Sequence, residues 1–156
     1  MVKNNVTRLL ESHGIAYQAF ELPKEKLSGM EAASYLGVDP ERVYKTIVVT
    51  RQTRGKPILA LVPAPSEVDL KSLSQVLGEK KVHLATQRDA ERITGLQTGG
   101  ISPLALVNRG FQVVIDISAQ PLDEIYISGG QRGINIRLAA ADLVELTNAE
   151  MAAISR

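Results

Sequence analysis

Apolar and polar residues alternate along the chain with two periods, and the switches between them divide it into short helices and strands. Val6, Leu9, Leu10 and His13 recur at helical spacing and Gly14 follows, which predicts a first helix over Asn4–His13. Ile15–Leu22 then reads as a strand. Ser28-Gly29-Met30-Glu31 fits a capping box, in which hydroxyl and carboxylate each satisfy an orphan backbone donor, and it opens a helix Met30–Leu36 that Gly37 ends. Asp39-Pro40-Glu41 starts one further short turn reaching Val43. Tyr44–Thr50 and Pro57–Val62 are β-rich runs on either side of Arg51–Lys56, and they read as a hairpin. Asp69 caps a helix Leu70–Leu77 with Gly78 after it, Val82–Leu84 is a short strand, and Thr86 caps a helix Gln87–Thr94 closed by Gly95.

From Gly95 to Leu104 the chain is glycine-rich and has no period. Gln112–Ile117 and Glu124–Ser128 follow as strands, Gly129–Gly133 as a turn and Ile134–Leu138 as the returning strand. Ala140–Leu146 and Asn148–Ile154 are expected to close the chain as helices. The most loop-like stretch, Pro63–Ser66, is too short and too central to divide the chain, so residues 1–156 are expected to form one domain. Strands cluster in the middle with helices at both ends, which argues for an α+β fold with a mixed or antiparallel sheet.

Composition narrows the chemistry. A chain of 156 residues, 44% of them apolar, can bury roughly 70% of its unfolded surface and needs no disulfide or metal staple. It contains no Cys, which excludes thiolate nucleophiles, thiolate zinc sites and iron–sulfur clusters. Eighteen Lys and Arg against seventeen Asp and Glu leave a net charge of +1, so no global field attracts duplex DNA, although a local basic cleft is compatible with it. Four Tyr, two Phe and no Trp supply no base-stacking platform. No His-x-x-x-His or carboxylate cluster suggests a metal, and no cofactor motif is present. The longest apolar runs, Pro57–Ala64 and Leu138–Ala141, are far too short to span a membrane. The segment Met1–Asn5 lacks the apolar stretch of a secretory signal, and the cytoplasm is the expected compartment.

Three places can carry chemistry. In the strand Val43–Thr50, period two puts Lys45 with Val43, Ile47 and Val49 on the more apolar face, with Tyr44, Thr46 and Thr50 opposite. A cation thus stands where a Val is expected. Either it lays its stem on the strand and carries its ammonium to water, or it projects into a cavity floor to hold an anion or polarise a carbonyl. In Gly99-Gly100-Ile101-Ser102-Pro103, adjacent glycines allow successive N–H groups to converge on one point, a nest for an oxyanion or phosphate oxygen; a plain loop is the alternative. The third is Ser128-Gly129-Gly130-Gln131-Arg132-Gly133, a β-turn with a strand-end hydroxyl at Ser128 and a cation at Arg132. His13, at a helix end, and His83, in a short apolar run, read as structural.

These residues also occur in a familiar order. Val43-Tyr44-Lys45-Thr46, Asp69-Leu70-Lys71, Thr94-Gly95 leading to Gly99-Gly100-Ile101-Ser102-Pro103-Leu104, and Tyr126-Ile127-Ser128-Gly129-Gly130 with Arg132-Gly133 resemble the YbaK/EbsC family. Members are free-standing relatives of the editing domain of bacterial prolyl-tRNA synthetases. The resemblance implies a mixed, mainly antiparallel β-sheet curled towards a barrel with flanking helices, and hydrolysis of a mischarged aminoacyl-tRNA ester. The branch it resembles most is the Cys-tRNA(Pro) deacylases. By the same resemblance Lys45 is the essential pocket lysine, and Gly100 with Gly99, Ile101 and Ser102 forms a backbone wall against the ester. Ser128 and Thr46 are pocket polar groups, and Phe20, Leu27 and Ser28 are the candidates for the pocket mouth. Asn135 stands where Cys-editing relatives often carry Asp, which removes a charge that could bind the substrate amino group.

An aminoacyl ester is already activated, so a site that orients it and stabilises the oxyanion suffices. In the Cys-specific branch the substrate's own thiol is thought to attack and leave as a thiolactone; water does the same work in relatives that edit Ala. Removal of Cys from Cys-tRNA(Pro) is therefore the expected function. An Ala-tRNA(Pro) deacylase using water, or a non-catalytic module that binds a tRNA end or aminoacyl ligand, are the alternatives. The partner the resemblance implies is the acceptor end of an aminoacyl-tRNA, and with a near-neutral chain the choice of tRNA is expected to come from a partner such as prolyl-tRNA synthetase.

Overall fold

The computed structural model describes residues 2–156. Its helices are α1 (Asn5–Ser12), α2 (Gly29–Leu36), α3 (Leu70–Leu77), α4 (Gln87–Thr94) and α5 (Ala140–Thr147). Its strands are β1 (Tyr17–Glu21), β2 (Tyr44–Arg51), β3 (Ile58–Pro63), β4 (Val82–Leu84), β5 (Gln112–Asp116), β6 (Glu124–Ser128), β7 (Ile134–Ala139) and β8 (Glu150–Ala152). Short 3₁₀ turns lie at Pro40–Arg42, Pro103–Leu106 and Ile117–Ala119. No helix among the described residues is long and apolar enough to cross a membrane.

Local chemistry sets most of these boundaries. Asn4 caps α1 and Ser28 caps α2, each in a reciprocal box with the residue three positions on, Thr7 and Glu31. The bond from the Ser28 amide holds the Glu31 carboxyl below its ordinary range. Asp69 and Thr86 accept from the third residue beyond them and start α3 and α4.

The class is the α+β arrangement that the residues imply, with the mixed, mainly antiparallel pairing that the resemblance implies, but the strands divide into two sheets and close no barrel among the described residues. One sheet runs β1-β7-β6, wholly antiparallel; the other runs β4-β2-β3-β5-β8, in which β3, β5 and β8 are parallel. All six residues of β3 are buried, because both faces of the larger sheet are covered. Leu59 and Leu61 join Tyr44, Val48, Ile125, Ile127, Ile136 and Leu138 in the core shared with the smaller sheet. Ile58, Ala60 and Val62 pack on the opposite side with Leu73 of α3 and Ile154. Each such Leu or Ile contributes about 1.5–3 kcal/mol relative to exposure.

The expected last helix, Asn148–Ile154, does not form. Asn148 takes a left-handed conformation (φ 53°) and ends α5, and Glu150–Ala152 instead add to the edge of β5 as β8. The buried Asp116 carboxylate then accepts from the Ile154 and Ser155 amides at 2.9 and 3.0 Å. A run such as Ala149-Glu150-Met151-Ala152 has good helix propensity, worth a few tenths of a kcal/mol per residue; an open strand edge and a buried carboxylate outweigh it. The strand expected over Gln112–Ile117 likewise stops at Asp116, whose side chain caps the turn Ile117–Ala119.

Candidate functional site

The site grows from a divergence of strands. An isolated parallel bridge joins Val43, just before β2, to Tyr126 of β6, while β4 pairs with β2 only at Val49–Arg51. β3 occupies the other edge of β2 along Tyr44–Val49, so Lys45–Ile47 lies on an open edge between two departing neighbours. Two residues beyond the bridge on each strand come Lys45 and Ser128, and Ser128 is paired across β6–β7 with Asn135. A cleft of about 380 Å³ opens there.

Two segments complete its walls. The first is the chain from Leu22 through the start of α2. Gly29 makes this approach feasible, since a Cβ there would stand 2.8 Å from the Ala64 Cβ and 3.8 Å from the Lys45 Cβ. The second is the loop Thr98–Ile101. The Thr98 amide donates to Glu91 at 2.8 Å, which depresses the Glu91 carboxyl pKa, and Arg132 Nε donates to the Thr98 carbonyl at 2.8 Å. Arg132, a candidate phosphate ligand by sequence, therefore ties the β6–β7 turn to this loop and does not line the cleft.

Lys45, Thr46, Gly99, Ile101, Ser128, Asn135, Leu27 and Ser28 are brought together around this one space. Three other residues expected at the site stand outside its lining. Gly100 packs against the β6–β7 turn, where a Cβ would meet the backbone of Gln131 and Arg132 at 2.8 Å, and its N–H donates to the Gln97 carbonyl at 2.8 Å. The nest amide expected to face the ester is thus already engaged. Ser102 is fully buried and accepts from the Leu104 amide at 3.2 Å, capping the Pro103–Leu106 turn. Phe20 packs its ring 5.9 Å from that of Tyr126, beneath the Arg137 guanidinium at 5.6 Å.

The polar groups of the cleft are few and unevenly satisfied. Among the described residues, Lys45 and Glu25 are its only charged lining residues, and Lys45 has no ion-pair partner. Thr46 Oγ1 and Asn135 Oδ1 are buried with no hydrogen-bond partner among the described residues. Ser128 Oγ accepts a long bond, 3.4 Å, from the Gly130 amide. The Gly99 and Ile101 amides have no acceptor among the described residues. An unsatisfied buried polar atom costs about 1–3 kcal/mol, and a cleft that gathers several is preorganised for a polar ligand. Glu25, Gly29, Met30 and Ala64 also line it and were missed from sequence. Of these, Gly29 and Met30 lie inside the capping box, a recognisable signal.

Such a site, a solitary cation beside free amides and small polar groups, is suited to hold and polarise an ester or other acyl group. Residues 25–146 match the aminoacyl-tRNA editing domain, and the chain belongs to that family. It is 34% identical over 155 residues to EbsC of Enterococcus faecalis, named as a candidate Cys-tRNA(Pro)/Cys-tRNA(Cys) deacylase, covering 98% of this chain and 93% of that one. It is 29% identical over 123 residues to a proline–tRNA ligase of Thermodesulfovibrio yellowstonii, covering 79% of this chain and 20% of the ligase. The chain thus spans about a fifth of that ligase's length. Among solved structures, the hypothetical protein APE2540 superposes with a TM-score of 0.89 at 25% identity, covering 98% of this chain and 100% of that one.

Proposed function

We propose that this protein is a trans-editing aminoacyl-tRNA deacylase that removes cysteine from Cys-tRNA(Pro). The observation that carries the reading is the cleft in which, among the described residues, Lys45 stands without an acid partner beside Thr46, Ser128, Asn135 and the unengaged amides of Gly99 and Ile101. The editing-domain family and the naming of the Enterococcus faecalis relative support it.

The chemistry needs no nucleophile from the protein. Lys45 holds the ester end through the terminal ribose, phosphate or acyl oxygen, and the Gly99 and Ile101 amides face the charge that develops on the carbonyl oxygen. Well-placed donors of this kind are each worth about 3–4 kcal/mol in the transition state. The substrate's own sulfur attacks its carbonyl carbon, the carbon–oxygen bond to the ribose breaks, and the thiol proton ends on the ribose oxygen. The products are a thiolactone and free tRNA. Attack by water on an alanyl ester is the second reading, favoured by the two vacant acceptors Thr46 Oγ1 and Asn135 Oδ1, which suit a small hydrogen-bonding molecule. The balanced charge of the chain supports a partner such as prolyl-tRNA synthetase in choosing the tRNA, in the cytoplasm where aminoacyl-tRNAs are made.

Incubation of the protein with Cys-tRNA(Pro), Ala-tRNA(Pro) and Pro-tRNA(Pro) tests this directly. Loss of the cysteinyl ester first is expected, and a substrate with its thiol blocked should react far more slowly. Faster loss of alanine moves the assignment to the water route; binding without loss of any ester defeats the enzyme reading.

A further inference from the structure

A second cleft, about 490 Å³ in volume, lies against the first, and Lys45 and Ile47 line both. It sits on the α3 side of β2 and is walled by the start of α3 and by β4. Its surface has two characters. Ile47, Leu70 and Leu84 form an apolar wall, and Leu84 is 54% exposed, an unusual position for a large aliphatic side chain. Lys71 and Arg156 add cations to that of Lys45.

The two carboxylates there are already engaged. Asp69 accepts from the Ser72 amide at 3.0 Å as the cap of α3, a bond that holds its pKa down, and Glu67 lies 3.4 Å from Arg156. Lys45 and Lys71 have no acid partner among the described residues. An apolar wall for a base with unpaired ammonium groups for phosphates, continuous through Lys45 with the cleft that takes the acyl group, matches a nucleotide.

We propose that this second cleft seats a nucleotide of the acceptor end, its base against Leu84 and its phosphate at Lys71. The proposal rests on the deacylase reading and extends it: Lys45 marks the junction between the aminoacyl group in one cleft and the single-stranded RNA end in the other. It also locates where a chain of near-neutral net charge concentrates its affinity for RNA.

Binding of an uncharged, fluorescently labelled CCA trinucleotide, followed by anisotropy, tests the cleft without requiring catalysis. Lys71→Ala and Leu84→Glu are each expected to weaken binding about tenfold, and the wild-type affinity should fall as salt is raised. Both side chains are on the surface, and a thermal melt verifies that each variant is folded. In parallel, the preference for an aminoacyl-CCA ester over the aminoacyl ester of a simple alcohol should fall about tenfold in either variant, through KM more than kcat. Trinucleotide binding that is unchanged in both variants overturns the proposal, even if the wild type cleaves the ester. Binding that responds as expected in a protein that cleaves no ester upholds the nucleotide cleft and overturns the deacylase reading alone.

Discussion

Gly29, the first residue of α2, lies so close to Ala64 that a Cβ on the glycine would stand 2.8 Å from the Ala64 Cβ. This contact closes one wall of the candidate site, because the same Cβ would stand 3.8 Å from the Lys45 Cβ. Gly29→Ala, which on helix propensity alone should stabilise, is expected instead to destabilise by about 1–3 kcal/mol through overpacking. Thermal denaturation checks it, and the double variant Gly29→Ala with Ala64→Gly should recover most of the loss. Additive destabilisation in the double variant would show that the contact is not the cause.

Lys45→Ala should reduce deacylation about 100-fold or more while leaving the melting temperature nearly unchanged, since no ion pair or hydrogen bond of the fold is lost among the described residues. Lys45→Arg should restore little, because a planar guanidinium cannot replace a compact ammonium at a strand edge between two clefts. Single-turnover rates on the cysteinyl ester measure both. Full activity in Lys45→Ala would remove this residue from the mechanism.

Thr46→Val exchanges a hydroxyl that has no partner among the described residues for a methyl group of the same shape, and it keeps β-branching in a strand. Stability should rise by about 1 kcal/mol, and KM for the aminoacyl ester should rise with it. Asn135→Leu should act in the same two directions, whereas Asn135→Asp should bind the substrate ammonium more tightly and slow product release. A Thr46→Val protein that is both less stable and equally active would contradict the assignment of this oxygen to ligand binding.

Asp116 predicts a pH dependence of folding. Burial works against its charge, but hydrogen bonds from Ser118, Ile154 and Ser155 outweigh that effect and hold the carboxyl below its ordinary value. A carboxyl depressed on folding stabilises above its unfolded pKa, near 3.9, and that contribution is lost as pH falls through the folded value. Asp116→Asn should therefore cost about 2–3 kcal/mol at neutral pH, and the gap to wild type should narrow below about pH 4. Urea denaturation at pH 7 and pH 3 measures it; a gap independent of pH would leave the carboxylate no special part in holding β8.

The elements that were legible in the sequence are those set by neighbours within four residues. Asn4, Ser28, Asp69 and Thr86 cap helices because their side chains reach amides of the first turn, and that reach is written in the spacing. The unusual place of Lys45 was legible for the same reason: alternation along a strand needs no partner to be read. Tertiary structure decided the rest. Ala149–Ala152 could satisfy its backbone as helix or as strand, and only the free edge of β5 and the buried Asp116 select the strand. The Gly100 amide could have faced a ligand, but Gln97 accepts its hydrogen bond and the β6–β7 turn covers it. Glu25, Gly29 and Ala64 join Lys45 and Asn135 only where β4 and β6 part from the two ends of one edge of β2. A hydrogen bond or cap formed within one turn is a property of the local chain, whereas a cleft is the gap left where distant segments stop packing.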